Sequence, residues 1–458
     1  MSYNAYITTL KNVRKHPNAD RLQLGDCFGN TVCVNLDYTD GMLGVYFPTD
    51  GQLSTEFAEY NNLLRKKDDA GNNIGGYMDP AKRNVTAIRL RGEKSDGLFL
   101  PLTCVEYTGV DLSTLEVGTA FTVLNGHEIC QKYIPRRNPS RHNAAAGNRT
   151  RKKKVNIAPM FAEHADTEQL AYNLSAFRPE DEIEITLKMH GTSQRTGHLP
   201  ILKGYKRTFW DWLFRREGTP QYEYGYVSGT RRVVLENYEG GFYGDNSFRE
   251  QHSKVFEGKL WAGETVYYEV VGFTQTGTPI MASSSNKKLN DKEFVKQYGE
   301  ETVFSYGCHP NGWNSISGGY NGGRNEPQSD IYVYRMTMTT PDGNVVEYTP
   351  DFMRYRCEMM GVKTVPVFYK DIIPSHTGDP AAIRLGQDAG NWVKEIAERY
   401  CDGPDPIGKT HVREGIVVRI LNRPKFTAYK HKNFSFKVLE GIAKVEAETP
   451  DMEEAQDE

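Results

Sequence analysis

The first stretch of the chain alternates short apolar runs with turn residues. Val32–Leu36, Gly44–Phe47, Thr86–Leu90 and Leu98–Leu102 are apolar or alternating, and clusters of Gly, Asp and Asn separate them. Runs of that length, broken at that spacing, predict strands of a small barrel or sandwich over residues 1–134. The pattern then stops. Residues 135–155, PRRNPSRHNAAAGNRTRKKKV, hold almost no large apolar side chains and many Arg, Lys, Asn and Pro. They predict a flexible, strongly positive linker. Globular patterning returns at Asn156. Strand-like runs recur at Glu182–Lys188, Thr265–Val271, Asp330–Met336 and Gly415–Ile420, and helical patterns cover Lys292–Tyr298 and Gly386–Tyr400. The main domain is thus expected over 156–440, and an acidic tail, disordered after Glu448 (TPDMEEAQDE), over 441–458. No internal repeat is present.

Composition changes this picture little. A length of 458 residues calls for two or three domains, each long enough to bury a core. The net charge of -3 with 25% charged residues is that of an ordinary soluble protein, so a nucleic-acid partner rests on local basic patches. The 7 cysteines form no CxxC pair, which argues against a disulfide framework or structural zinc and for a reducing cytoplasm. The opening MSYNAYITTLKNVRKHP has no apolar signal core, and no run of apolar residues is long enough to span a bilayer. A cytoplasmic monomer is expected.

The candidate chemistry begins at Lys188. In Glu182-Ile-Glu-Ile-Thr-Leu-Lys188, alternation sends Ile183, Ile185 and Leu187 to the core and Glu184, Thr186 and Lys188 to the other face. A turn, His190-Gly191-Thr192-Ser193, follows. A lysine at a strand end with its stem packed can serve as a nucleophile, and Gly191 permits a close backbone approach to a ligand. Taken alone, Lys188 reads as a surface lysine before a turn. Glu414 and Glu269 each stand in an otherwise apolar run, where a carboxylate needs an ionic partner or a metal. Lys430 and Lys432 alternate on one strand, so both ammonium groups can face one phosphate.

Together these segments resemble the covalent nucleotidyltransferases, which include ATP-dependent DNA and RNA ligases and capping enzymes. Lys188-Met-His-Gly is similar to the Lys-x-His-Gly nucleophile motif of one group of RNA ligases. Ser228-Gly-Thr-Arg-Arg232, Tyr267-Tyr-Glu-Val-Val-Gly-Phe273, Ile331-Tyr-Val-Tyr-Arg335, Arg413-Glu-Gly-Ile-Val-Val-Arg419 and Tyr429-Lys-His-Lys432 resemble the later motifs of that family, in order. The resemblance implies Lys188 as the residue that carries AMP. It implies Leu187, His190, Gly191, Arg231, Glu269, Tyr334, Lys430 and Lys432 as nucleotide-binding residues, and Glu269 and Glu414 as ligands of Mg2+ or Mn2+. Tyr334 is preferred to Tyr332 as the adenine-stacking ring, and Arg231 to Arg232 by motif position. Lys437 is the alternative to Lys432.

The accessory module lies in front. Too few residues follow Lys437 for the C-terminal barrel of DNA ligases and capping enzymes. His16-Pro-Asn-Ala-Asp-Arg-Leu22 resembles the opening of tRNA-binding oligonucleotide-binding (OB) barrels, and the segment Arg89–Pro101 is similar to part of the N-terminal barrel of some RNA ligases. Those enzymes more often carry Asp where His190 stands. The implied fold class is α+β: a small OB-like β-barrel, then an adenylyltransferase domain of antiparallel sheets with flanking helices. The implied function is ATP-dependent joining of RNA ends, with RNA as partner and ATP and a divalent ion as cofactors. The alternatives are a DNA ligase, a capping guanylyltransferase, and a non-catalytic RNA-binding protein on the same fold.

Overall fold

The computed structural model describes residues 3–71, 74–134, 156–214, 216, 218–235, 238, 246–274, 279–281, 284–300, 306, 313–314, 319–320, 329–375, 388–408 and 411–447. The expected linker 135–155 and the tail after Ala447 lie outside the described residues. The chain forms two compact units: Met1–Pro135 with Ser284–Glu301 and Asn433–Glu446, and Arg136–Ser283 with Thr302–Lys432 and Ala447–Glu458. Residues 284–301 and 433–440, read from sequence as part of the main domain, and 441–446, read as the start of the tail, thus group with the N-terminal unit.

In the first unit, the alternating runs become short antiparallel strands. Leu98–Pro101, Leu43–Phe47, Ala5–Thr9 and Ala120–Phe121 form one sheet in that order, and Lys11–Lys15, Gln23–Cys27 and Asn30–Val34 another. Their inward residues, Ile7, Val45 and Phe47 among them, bury a core with Phe57 of the helix Thr55–Tyr60. Ser54 caps that helix by accepting from Phe57 N–H. Among the described residues these are separate small sheets, and the expected closed barrel is not formed. Alternation specifies strands and their faces; it does not specify the register that closes a barrel. The two segments that resembled OB modules do meet. Nε2 of the fully buried His16 lies 3.1 Å from the Leu90 carbonyl, and Asn18 Nδ2 donates to the Arg91 carbonyl at 3.0 Å. Lys437, on the helix Phe434–Ala447, pairs with Asp96 of this unit at 2.5 Å.

The second unit contains two larger sheets. One has five strands, ordered Glu168–Gln169, Thr427–Lys432, Gly415–Ile420, Glu182–Leu187 and Val367–Ile372. All its pairings are antiparallel except the short first one. Ile183, Ile185, Ile416, Val418 and Ile420 face a core shared with Val393, Ile396 and Ala397 of the amphipathic helix Asp388–Cys401. The other sheet is antiparallel and has six strands: Val234–Leu235, Thr219–Gly229, Thr192–Lys206, Glu264–Gly272, Ser329–Thr339 and Val345–Glu347. Its strand Glu264–Gly272 is buried throughout, as a central strand covered on both faces must be.

One helix ties this sheet to the cleft described below. Pro350–Met360 begins with Thr349 accepting from Phe352 N–H and with Pro350 in the first turn, where a missing N–H costs nothing. Met353, Cys357 and Met360 pack on the core. Arg356 reaches inward to the fully buried Glu264, with Nε and Nη2 at 2.8 and 2.7 Å from its two oxygens. Tyr348 and the Trp261 N–H complete the carboxylate's shell at 3.0 and 2.8 Å. Arg356→Ala strands that carboxylate without its counter-charge, so denaturant unfolding is expected to show a loss of roughly 3–5 kcal/mol. The double replacement Arg356→Met with Glu264→Leu removes both charges and is expected to be much milder.

Candidate active site

Two sheets of the second unit face a common cleft of about 890 Å³, open mouth included. The outer face of Glu182–Leu187 supplies Glu184, Thr186 and, at its end, Lys188. The alternation read from sequence places these three on one face, and that face lines the cleft. Register carries the floor across neighbouring strands: Thr186 lies opposite Val417, Val417 opposite Lys430, and Glu184 opposite Arg419, all lining residues. The second sheet supplies Ser193, Glu269 and Tyr334. Leu187 and Arg231 also line the cleft.

The turn after Lys188 is built for tight packing. Lys188 N–H donates to the Gly415 carbonyl at 3.0 Å, and His190 N–H donates to the Tyr306 hydroxyl at 3.0 Å. A side chain at Gly191 would meet the Val270 carbonyl at 2.4 Å and Glu269 Cγ at 2.8 Å. Gly191 thus allows a close approach to the strand carrying Glu269. The buried Arg249 then fixes the following strand, donating to Thr192 Oγ1 at 2.8 Å and to the Ser193 carbonyl at 3.2 Å.

Glu414 is the electrostatic centre. Its Oε1 lies 2.7 Å from Lys188 Nζ and 3.4 Å from Lys432 Nζ, and its Oε2 lies 3.5 Å from His190 Nδ1. Burial opposes its ionisation, but the Lys188 ammonium, the Lys432 ammonium and the His190 ring outweigh burial and hold the carboxyl down to about 2. The Lys-x-Lys pair thus divides. Lys432 meets Glu414, and Lys430, two residues along the strand, lines the cleft. Lys437 pairs with Asp96 within the first unit.

The remaining candidates separate in the same way. Tyr334 is the extra residue of a bulge, since Val333 and Arg335 pair with consecutive residues of the neighbouring strand. The bulge places its ring in the cleft lining, where its hydroxyl shares a 2.8 Å hydrogen bond with Ser193. The Tyr332 ring instead lies under the Lys363 ammonium, at 5.7 Å. Asp166 holds both arginines, Arg231 at 3.1 Å and Arg232 at 3.0 Å, but only Arg231 lines the cleft. Glu269 lies directly opposite Ser193 in register.

Several lining residues carry no signal in the sequence. Arg354 pairs with the buried Glu184 at 2.8 Å. The His164 ring lies tilted against Tyr334, with ring centroids 5.1 Å apart, and 5.7 Å from Phe426. Ser193 stood in the turn motif, but its bond to Tyr334 spans 141 positions. Among the described residues, no three His, Cys, Asp or Glu side chains gather as a metal cage. Glu269 and Glu414 are hard oxygen donors, the type that suits Mg2+ or Mn2+.

No family model matches the chain, and no curated protein matches it. The fold has solved counterparts. An RNA ligase of Naegleria gruberi, as a lysine-to-alanine variant with ATP and Mn, aligns over 96% of this chain and 99% of its own, with 15% identity and a TM-score of 0.52. The same ligase with PPi aligns over 94% and 97%, with 15% identity and a TM-score of 0.52. A glutamate-to-alanine variant with AMP and Mn aligns over 94% and 97%, with 14% identity and a TM-score of 0.51. The chain therefore has a mixed α/β fold of antiparallel sheets and helices like that of this RNA ligase, along nearly its whole length.

The depressed Glu414 carboxyl has a measurable consequence. Its stabilising contribution is complete above the ordinary value of 4.5 and is lost as pH falls from there towards about 2. Unfolding free energies measured across that window are expected to fall in the wild type. Glu414→Gln, which cannot ionise, is expected to fall less steeply; equal slopes would remove Glu414 from the acid response.

Proposed function

We propose that this chain is an ATP-dependent RNA ligase that carries AMP on Lys188. The observation that carries the reading is Lys188 itself. It is a strand-end amine lining a cleft between two sheets, 2.7 Å from a buried carboxylate, in a fold shared with an RNA ligase. The ligands named with that ligase, ATP, AMP, PPi and Mn, extend the reading to cofactors.

The reaction has three transfers. The Lys188 amine, freed of its proton, attacks the α-phosphorus of ATP; the N–P bond forms and pyrophosphate leaves. A 5′-phosphate oxygen of RNA then attacks the phosphorus of the lysyl-AMP, which returns the amine and leaves AMP on the RNA end. A 3′-hydroxyl attacks that 5′-phosphorus, closing the strand and releasing AMP. Lys430 and Lys432 are assigned to the phosphates, Arg231 to ribose or phosphate, and Tyr334 to the adenine face. Leu187 forms the wall beside the nucleophile. His190 and Gly191 set the turn. Glu269 and Glu414 would hold the divalent ion, which supplies positive charge to the leaving pyrophosphate.

We assign RNA gripping to the first unit, as an OB-like module, and to the basic residues 135–155. The joined His16 and Arg89–Asp96 segments and the charge of the linker support that role. No helix among the described residues is long and apolar enough to cross a membrane. The absence of a CxxC pair favours action in the cytoplasm, and we take the working form to be a monomer.

Incubation with labelled ATP or GTP, followed by a denaturing gel, tests the reading. Wild type is expected to label from ATP alone and Lys188→Ala not at all. Labelling from GTP would point to a capping enzyme, and no labelling to a binding protein. Lys430→Ala and Lys432→Ala are expected to slow labelling by roughly 100-fold or more, the scale of losing one stabilising group in a closed site. Lys437→Ala is expected to label near the wild-type rate. Sealing assays on nicked duplex RNA, nicked DNA and single-stranded RNA then define the substrate.

A further inference from the structure

One feature of the second unit has no part in the cleft. The strand Thr192–Lys206 pairs with Glu264–Gly272 only as far as Gly197, while its pairing with Thr219–Gly229 continues to Lys206. Beyond His198, whose carbonyl accepts from Gly263 N–H, the backbones of the two strands pair with each other alone among the described residues, apart from a bond donated by Leu202 N–H to the Ile157 carbonyl. The result is a two-stranded arm of about 25 Å at the usual rise per residue.

The arm is ordered yet buries little of what it carries. At its tip Thr208 and Asp211 form a reciprocal capping box at the start of the helix Phe209–Leu213. That helix has no buried residue: Trp210 is 62% and Trp212 67% exposed. So short a helix gains almost nothing from its own hydrogen bonds, and here it presents rings to solvent. Trp210 stacks near-parallel to Phe214, with centroids 6.1 Å apart. Along one face of the arm Tyr222 and Tyr224 stand two residues apart, opposite Leu202 and Pro200, both exposed. Lys203, Lys206, Arg207 and Arg216 are exposed among these rings, against the acidic Asp211, which is engaged in the cap, and Glu223.

Flat rings spaced along a ribbon, with cations between them, match the chemistry of a single polynucleotide strand: bases stack on rings and phosphates meet ammonium and guanidinium groups. A bilayer would favour an apolar tip and leave the tyrosine row without a role. The arm also continues the strand whose second residue, Ser193, lines the cleft, so a polymer held on it leads towards Lys188. We propose that this arm binds single-stranded RNA, stacking bases on Trp210, Trp212, Tyr222 and Tyr224 and holding phosphates with Lys206 and Arg207. The proposal rests on the ligase reading for its purpose.

The test uses the full chain and a labelled single-stranded oligoribonucleotide, with affinity read by fluorescence anisotropy at several salt concentrations. The pair Trp210→Leu with Trp212→Leu keeps apolar surface and removes the rings; affinity is expected to fall about tenfold or more. The pair Trp210→Phe with Trp212→Phe keeps stacking and is expected to bind near the wild-type level. Lys206→Ser with Arg207→Ser is expected to flatten the salt dependence. Equal RNA affinity in the Leu and Phe pairs overturns the proposal. So does binding to phosphatidylserine–phosphatidylcholine vesicles that the Leu pair retains while RNA binding is indifferent to the rings. Labelling of the wild type by ATP is read separately. Ring-dependent RNA binding without any label leaves the arm standing and removes the ligase; a label with ring-independent RNA binding does the reverse.

Discussion

A carboxylate buried beside an amine governs the second unit. Glu414 lies almost wholly out of water, and an isolated charge there would be prohibitive. It is tolerable because Lys188, Lys432 and His190 converge on it from two segments more than two hundred positions apart in the chain. The same contacts tie the end of the strand Glu182–Leu187 to Gly415–Ile420 and Thr427–Lys432, and so determine where the Lys188 amine sits.

Around that centre the two sheets divide the work. The five-stranded sheet offers cations and a carboxylate on alternate residues of three adjacent strands, so its chemistry lies in rows set by register. The six-stranded sheet offers the ring of Tyr334 and the carboxylate of Glu269, and its aim depends on irregularities. A bulge presents Tyr334, and Gly191 lets the turn press against the Glu269 strand. The buried Glu264–Arg356 pair anchors the helix whose preceding residues Met353 and Arg354 line the cleft. A stability element and a lining element are thus the same helix.

The long hairpin shows the opposite economy. Its strands leave the sheet after Gly197 and its aromatic residues remain in water, at a site where nothing in the fold requires them. Exposed rings among cations describe a surface made for another molecule, whereas the rings inside the sheets, such as Tyr267 and Tyr268, are core.

Local order was legible from the chain alone wherever one physical period dominated. Strict alternation in Glu182–Lys188 put Glu184, Thr186 and Lys188 on one face, and the strand Gly415–Ile420 and helix Lys292–Tyr298 have the bounds that the pattern indicated. The apolar surroundings of Glu414 announced that it needed a partner, and it has three. Periodicity does not reach across space. It could not show that Lys432 meets Glu414 while Lys437 meets Asp96, since both lysines sit in one basic stretch and only the end of the strand at Lys432 separates them. Nor could it show that 284–301 and 433–446 group with the N-terminal unit, that His164 and Arg354 line the cleft, or that the N-terminal strands form no closed barrel among the described residues. Those outcomes depend on register and on pairs distant in the chain, which the order of polar and apolar residues does not encode and which packing alone decides.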